Sequence, residues 1–207
     1  MIRVLLAEDQ GMVRGALASL LDMEPDLEVV SQVGSGTEAV AAALEVQPDV
    51  VLLDIEMPGM DGLTAAREVR SRLPGCKAVI LTTFGRPGYL RRAMEAGASA
   101  FLVKDGPADE LAMAIRRVVK GERVIDPSLA AAALRAGPNP LSAREREVLG
   151  AAGDGSTVAD MARRLFLSQG TVRNYLSSAI GKTGARNRIE AAQMADANGW
   201  LSPNPDR

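Results

Sequence analysis

The chain of 207 residues carries 24 Lys+Arg against 26 Asp+Glu, with 47% hydrophobic residues, and its length is comfortable for two modest domains of ordinary globular composition. It contains no histidine, which excludes a Ser-His-Asp triad, a histidine general base, His-ligated zinc and a phosphohistidine on this chain. Cys76 is the only cysteine, so neither an internal disulfide nor a thiolate metal cluster can form.

Apolar runs at Ile2–Ala7, Leu27–Val33, Val50–Leu53, Ala78–Leu81 and Ala100–Val103 predict short strands. Helical patterns fall between them, near 10–22, 36–46, 61–72, 87–96 and 108–120. This alternation over residues 1–120 predicts an α/β domain, a doubly wound five-stranded parallel sheet with helices on both faces. No apolar run approaches the roughly 18 residues needed to span a bilayer. The first strand starts without a basic region or cleavage site, so a cytoplasmic protein with no membrane insertion is expected.

Residues 121–140 mix Gly, Pro and small residues and predict a linker, with a short helix over Pro127–Arg135. Strand signals are absent from Leu141 onward, which predicts an all-α unit over 141–207. Ser142 followed three residues later by Glu145 is a capping box, and Gly153 and Gly155 close the helix that it opens. Ser168 can cap another helix after Leu165-Phe166-Leu167, and a last helix is expected over Asn187–Ala197, stopping at Asn198-Gly199. Residues 1–120 hold 13 Lys+Arg against 17 Asp+Glu, a net of −4, whereas residues 121–207 hold 11 against 9, a net of +2. That asymmetry runs in the direction expected if the C-terminal part meets phosphates.

The run Val50-Val51-Leu52-Leu53 is closed by a carboxylate, Asp54, and a Pro58-Gly59 turn follows. A lone buried carboxylate keeps its charge only beside a cation or donors. Open parallel sheets carry their functional groups at the carboxyl ends of the strands. Glu8 and Asp9 lie at the end of the first strand, Asp54 of the third, Thr82 of the fourth and Lys104 of the fifth, so all are expected in one crevice. Three carboxylates repel one another unless a divalent cation sits among them, and an oxygen-only set suits Mg²⁺. With Lys104 and the Thr82 hydroxyl beside it, Asp54 is equipped to attack a phosphoryl group. Taken singly, each residue reads as a cap or turn former; the joint occurrence at successive strand ends makes the site. Phosphohydrolases also form an aspartyl phosphate with Mg²⁺, but they usually place a second Asp two residues on, where this chain has Glu56. Gly34-Ser35-Gly36-Thr37 lacks the phosphate-loop endings and reads as a strand-to-helix turn, and Cys76 as a small, partly buried residue.

Glu8-Asp9, Asp54 with Met57-Pro58-Gly59-Met60-Asp61-Gly62, Thr82 and Lys104 together resemble the receiver domain of bacterial response regulators, a flavodoxin-like fold, over residues 1–120. The resemblance implies that Asp54 accepts a phosphoryl group from the histidine of a sensor kinase. It implies that Glu8, Asp9, Asp54 and the Glu56 backbone carbonyl hold Mg²⁺, and that Thr82 and Lys104 grip the phosphoryl oxygens. Phe101, three residues before Lys104, matches the aromatic that turns inward with Thr82 on activation. Thr83 stands where a smaller residue is frequent, a departure that would slow water reaching the acyl phosphate.

Residues 156–182 predict helix, tight turn, helix, with Val158, Met161, Ala162 and Leu165 inward on the first and Val172, Leu176 and Ile180 inward on the second. The outer face of the second presents Thr171, Arg173, Asn174, Ser177 and Lys182, and Arg and Asn match guanine and adenine edges in the major groove. Two basic residues on a solvated face carry no DNA claim by themselves. The wider pattern does, from Leu141-Ser142 through Arg144-Glu145, Glu147-Val148-Leu149, Gly153, Ala162, Ser168 and Thr171-Val172-Arg173-Asn174 to Lys182: it resembles the LuxR-type helix-turn-helix over about 141–198. The resemblance implies that Arg173, Asn174 and Ser177 lie nearest the bases and Ser168, Thr171 and Lys182 nearer the backbone. It also implies that the last helix pairs two domains on a two-fold site in double-stranded DNA. Tyr175 stands where histidine is common, its hydroxyl suited to a phosphate.

Together the halves resemble NarL/FixJ-type two-component response regulators, in which phosphorylation favours a homodimer that binds paired half-sites. AEDQ at 7–10, DIEMPG at 54–59, LTTFGRPGYL at 81–90 and NRIEA at 187–191 are similar to the branch that governs a membrane-lipid desaturase. Met12 and Met113 look displaced from the core faces of the first and fifth helices and mark the candidate dimer surface. A receiver that regulates by protein contact, without phosphate, is the alternative.

Overall fold

The computed structural model describes residues 1–83, 87–104, 106–152 and 155–201. Two compact units emerge, one spanning Met1–Gly85 and Leu90–Ala131, the other centred on Ala132–Arg207.

In the first unit, β1 (Ile2–Ala7), β2 (Leu27–Val33), β3 (Val50–Asp54), β4 (Lys77–Thr82), β5 (Ala100–Val103) and β6 (Val124–Ile125) form a parallel sheet ordered β2-β1-β3-β4-β5-β6. The helices α1 (Gly11–Asp22), α2 (Gly36–Val46), α3 (Gly62–Arg72), α4 (Pro87–Glu95) and α5 (Ala108–Val119) alternate with the strands. Val4, Leu6, Leu52, Val79 and Leu81 share a buried cluster with Leu21 of α1 and Ile115 of α5. Leu5, Leu53, Ile80 and Phe101 are just as deeply buried; by the two-residue period they point to the other face, where α2 and α3 pack on β1, β3 and β4. A strand covered on both faces needs apolar side chains at every position, hence the unbroken apolar run in β3.

The sheet has six strands among the described residues, one more than the sequence predicts. β6 lies in the segment expected as a linker and pairs Ala100↔Val124 and Phe101↔Ile125 with β5. A two-residue strand is too short to show a periodicity; its neighbour β5 makes it a strand. The helix expected over Pro127–Arg135 is α6 (Pro127–Ala136).

The second unit contains α7 (Ala143–Ala152), α8 (Val158–Arg164), α9 (Gln169–Thr183) and α10 (Arg188–Ala197) around Val148, Leu149, Met161, Val172, Leu176 and Trp200. Side-chain oxygens of Thr157, Ser168 and Asn187 cap α8, α9 and α10, which fixes where each helix starts. The capping box is present: Glu145 N–H donates to Ser142 Oγ at 3.3 Å, and Ser142 N–H donates to Glu145 Oε2 at 2.6 Å. Gly153, expected to close α7, and residues 84–86 of the LTTFGRPGYL stretch lie outside the described residues. No helix among the described residues is long and apolar enough to cross a membrane.

Candidate functional site

The sheet order sets β1, β3, β4 and β5 side by side with their carboxyl ends on one edge. Asp54 and Thr82 are the last residues of β3 and β4, Glu8 follows β1, and Lys104 follows β5. The N–H of Lys104 donates to the Thr82 carbonyl at 2.9 Å, so backbone pairing itself draws two of these residues together. Lys104 Nζ lies 2.5 Å from Glu8 Oε2 and 2.9 Å from Asp54 Oδ1. Ile55 N–H also donates to Asp54 Oδ1, at 2.8 Å, and Gln10 N–H donates to Glu8 Oε1 at 3.2 Å. Glu8, Asp54 and Thr82 are buried, whereas Asp9 is exposed at the rim.

Burial raises the pKa of both Glu8 and Asp54 above the ordinary carboxylate range, and the hydrogen bond and charge of Lys104 oppose the rise. Burial acts on Lys104 in the opposite sense and would lower it, but its hydrogen bonds to Glu8 and Asp54 outweigh this and hold it above the usual lysine value. The ammonium therefore stays charged among the carboxylates.

Ligand oxygens of Glu8, Asp9 and Asp54 all lie within 4.8 Å of one another. Three hard oxygen donors at that spacing fit Mg²⁺. The Glu56 side chain is exposed, and its carboxylate is not part of this cluster. At a concentration a hundredfold above its dissociation constant, Mg²⁺ should stabilise the first unit by about 2.7 kcal/mol. Urea unfolding with and without Mg²⁺ checks this, and Asp9→Ala should lose most of the gain.

The loop after β3 is drawn tight against the phosphoacceptor candidate. Gly62 N–H donates to the Ile55 carbonyl at 3.1 Å, and Asp61 caps α3 by accepting from Thr64 N–H at 2.6 Å. Arg14 of α1, which the sequence reading left unassigned, donates from Nη1 to the Glu8 carbonyl at 2.5 Å. Its partner is a backbone carbonyl six residues back, before the helix starts, so no side-chain periodicity announces it. Phe101 is fully buried, hence inward on β5. Ser35 caps α2, so the Gly34–Thr37 stretch is the strand-to-helix turn. Cys76 is buried, and burial pushes its thiol up to about 11.

In the second unit, α9 turns Arg173, Asn174 and Ser177 outward, and all three are exposed. Ser168 at its N-cap accepts from Thr171 N–H at 3.0 Å, and Arg173 Nη2 donates to Gln169 Oε1 at 3.3 Å. Tyr175 is partly buried against the helical core. Lys182 is engaged within the protein: its Nζ lies 2.8 Å from Oε2 of the buried Glu145, whose Oε1 accepts from Ser178 Oγ at 2.6 Å. The capping residue of α7 thereby anchors the far end of α9. Sequence reasoning found Glu145 as a cap but missed this second role, because Ser178 and Lys182 lie 33 and 37 residues away.

Residues 4–116 match the family described as response regulator receiver domain, and residues 139–195 that described as bacterial regulatory proteins, luxR family. The chain is 51% identical over 203 residues to the uncharacterized transcriptional regulatory protein YvfU of Bacillus subtilis (strain 168), covering 97% of this chain and 100% of that one. It is 48% identical over 201 residues to the transcriptional regulatory protein DesR of the same organism, with 97% and 100% covered. Among solved structures, the response regulator ChrA of a heme-sensing two-component system is 35% identical, with a TM-score of 0.59 and 94% and 96% of the two chains covered.

Proposed function

The chain belongs to the two-component response regulators that join a receiver domain to a LuxR-type DNA-binding domain; from this premise we propose that phosphorylation of Asp54 governs its binding to DNA. Such a protein is a transcription regulator, not an enzyme. The observation that carries the proposal is the convergence of Lys104 on Asp54 Oδ1 and Glu8 Oε2 at the carboxyl edge of the sheet.

Lys104 and the Ile55 N–H both engage Oδ1, so Oδ2 is the oxygen of Asp54 that meets no donor among the described residues, and it is the attacking one. Oδ2 bonds to the phosphorus of a phosphohistidine on a sensor kinase as the P–N bond breaks; the imidazole leaves and takes a proton from solvent. Glu8, Asp9, Asp54 and the Glu56 carbonyl would hold Mg²⁺, which supplies positive charge to the transferring oxygens. Lys104 balances the remaining charge, and Thr82 donates its hydroxyl to a phosphoryl oxygen, with Phe101 as the second switch residue. Met12, 90% exposed on α1, and Met113, 49% exposed on α5, support a homodimer surface on those helices in the phosphorylated form. Joining two chains raises the effective concentration of the second DNA-binding unit on a two-fold site.

On DNA, α9 enters the major groove with Arg173, Asn174 and Ser177 toward the bases and Ser168 and Thr171 toward the backbone. Lys182, paired with Glu145 but partly exposed, also faces the backbone. With the receiver over 1–120 and the DNA-binding unit over 141–207, the protein works in the cytoplasm, and membrane-lipid promoters are the first targets to try.

Intact-mass spectrometry after incubation with Mg²⁺ and acetyl phosphate tests the central step. Wild type should gain one phosphoryl group, and Asp54→Asn none. An unmodified wild type, beside a control receiver that takes up phosphate, would leave only the phosphate-independent alternative.

A further inference from the structure

Helix α8 ends in a Schellman motif. Leu167 N–H donates to the Ala162 carbonyl at 2.9 Å, and Phe166 N–H to the Arg163 carbonyl at 3.3 Å. The residue between the helix cap and Leu167 must then adopt the left-handed conformation, where glycine or asparagine is usual. Here it is Phe166, at φ 55°. Among the described residues this chain meets positive φ with glycine at seven positions, and only Gln47 and Phe166 depart from that habit. A bulky side chain there is strained, and strain of this kind persists only where something compensates for it.

The two capping hydrogen bonds hold the backbone of Phe166, but among the described residues its ring gains no burial. The Phe166 side chain is 95% exposed, the most exposed of the large apolar residues among those described, while its neighbours Leu165 and Leu167 pack against the helical core. An aromatic ring that strains the backbone and buries nothing is a double loss in the free protein, so the return is expected outside the chain. Its position says where. Phe166 lies two residues before Ser168, the cap of α9, so it stands at the leading end of the helix that carries Thr171, Arg173 and Asn174. From Met161 to Ile189 the chain has no Asp or Glu and six Lys+Arg. Arg163, Lys182 and Arg186 pair with Asp160, Glu145 and Glu190, while Arg173 on the outer face of α9 meets only the neutral Gln169 among the described residues and is suited to a polyanion.

We propose that Phe166 is a DNA-contacting residue whose ring packs on the apolar sugar and thymine-methyl surface beside the point where α9 enters the groove. This rests on α9 being the DNA-reading helix. Apolar side chains make such contacts with thymine methyls, and they add affinity without releasing counterions.

The test uses the full chain, treated with Mg²⁺ and acetyl phosphate, and a duplex enriched by the wild type from a random 30-base-pair pool. Binding is measured across a salt series for wild type, Phe166→Asn, Phe166→Leu and Arg173→Ala. Phe166→Asn relaxes the left-handed residue, so the Trp200-reported unfolding midpoint should hold or rise while DNA affinity falls about tenfold. Phe166→Leu should recover part of the affinity, and neither Phe166 variant should change the salt slope, whereas Arg173→Ala should reduce it by about one. Equal affinity of wild type and Phe166→Asn would overturn the proposal and leave the DNA-reading role of α9 intact. A joint fall in stability and affinity would make Phe166 a structural residue and overturn it as well. Unchanged DNA binding with loss of transcription in a reconstituted assay would assign the ring to polymerase instead. If the wild type enriches no duplex at all, the DNA-binding reading fails and this proposal falls with it.

Discussion

Gly62→Ala is expected to cost the receiver unit about 3 kcal/mol or more of stability, at or beyond the upper end for overpacking, and to abolish phosphoryl uptake. A Cβ built on Gly62 would stand 1.8 Å from the Asp54 carbonyl oxygen and 2.8 Å from its carbonyl carbon. Both are backbone atoms at the end of a central strand, so no rotamer change can relieve the clash. Either α3 withdraws, breaking the 3.1 Å hydrogen bond from Gly62 N–H to the Ile55 carbonyl, or the end of β3 moves and takes Asp54 away from Lys104. Both outcomes disable the site, because a nucleophile displaced by an ångström loses much of its rate. Gly59→Ala is the control: it lies in the same loop at φ +75° but meets nothing within 4 Å, so its cost should be only the left-handed strain of about 1 kcal/mol. Urea unfolding and intact-mass measurement on both variants decide the matter. Equal effects from the two substitutions would mean that the loop is deformable and that the close approach of α3 is not what positions Asp54.

Glu145→Ala should destabilise the DNA-binding unit by about 2 to 3 kcal/mol, and Glu145→Gln by roughly half as much. Burial alone would raise the Glu145 pKa, but hydrogen bonds from Lys182, Ser178 and Ser142 overcome it and depress the carboxyl from 4.5 to about 2. That depression corresponds to about 3 kcal/mol of stability, somewhat less once solvent screening at the part-exposed Lys182 is allowed for. Because the folded value lies below the unfolded one, the stabilisation is fully present above about pH 4.5 and is lost as pH falls toward 2. Trp200, the only tryptophan, is buried in this unit, so its fluorescence follows the unit directly. Wild type should lose stability steeply over that acid range, and Glu145→Gln should lose far less. A variant that retained the full acid dependence would assign it to other carboxylates. The same variant should weaken DNA binding at neutral pH, since Glu145 fixes the far end of α9 through Ser178 and Lys182.

The residues of the acidic pocket were legible because each falls at the end of an apolar run, and strand ends in an open parallel sheet share one edge. The starts of α7 and α9 were legible for a local reason: Ser142 and Ser168 act on backbone N–H groups three residues away, a distance that any fold preserves. The sheet edge was not. β6 is two residues long and exists only because β5 offers a row of unpaired backbone groups beside it.

From its order of residues alone, then, this protein determines two units of different class, a carboxylate cluster with a lysine and a threonine at strand ends, and an outward face of Arg173, Asn174 and Ser177 on a helix. These depend on periodicity and capping, interactions of short range along the chain. Only the tertiary structure decides that Lys104 reaches both Glu8 and Asp54, that Gly62 abuts the Asp54 carbonyl, and that Glu145 holds Ser178 and Lys182. Phe166 belongs with them: its identity is plain in the sequence, but its left-handed backbone and its exposure follow from how α8 ends. The physical reason is common to all four. In each, an atomic position that the pattern of residue types does not encode decides the outcome: for Lys104, Gly62 and Glu145 it is packing between segments, which sets the charge state of the site and the aim of α9, and for Phe166 it is the backbone turn that ends α8.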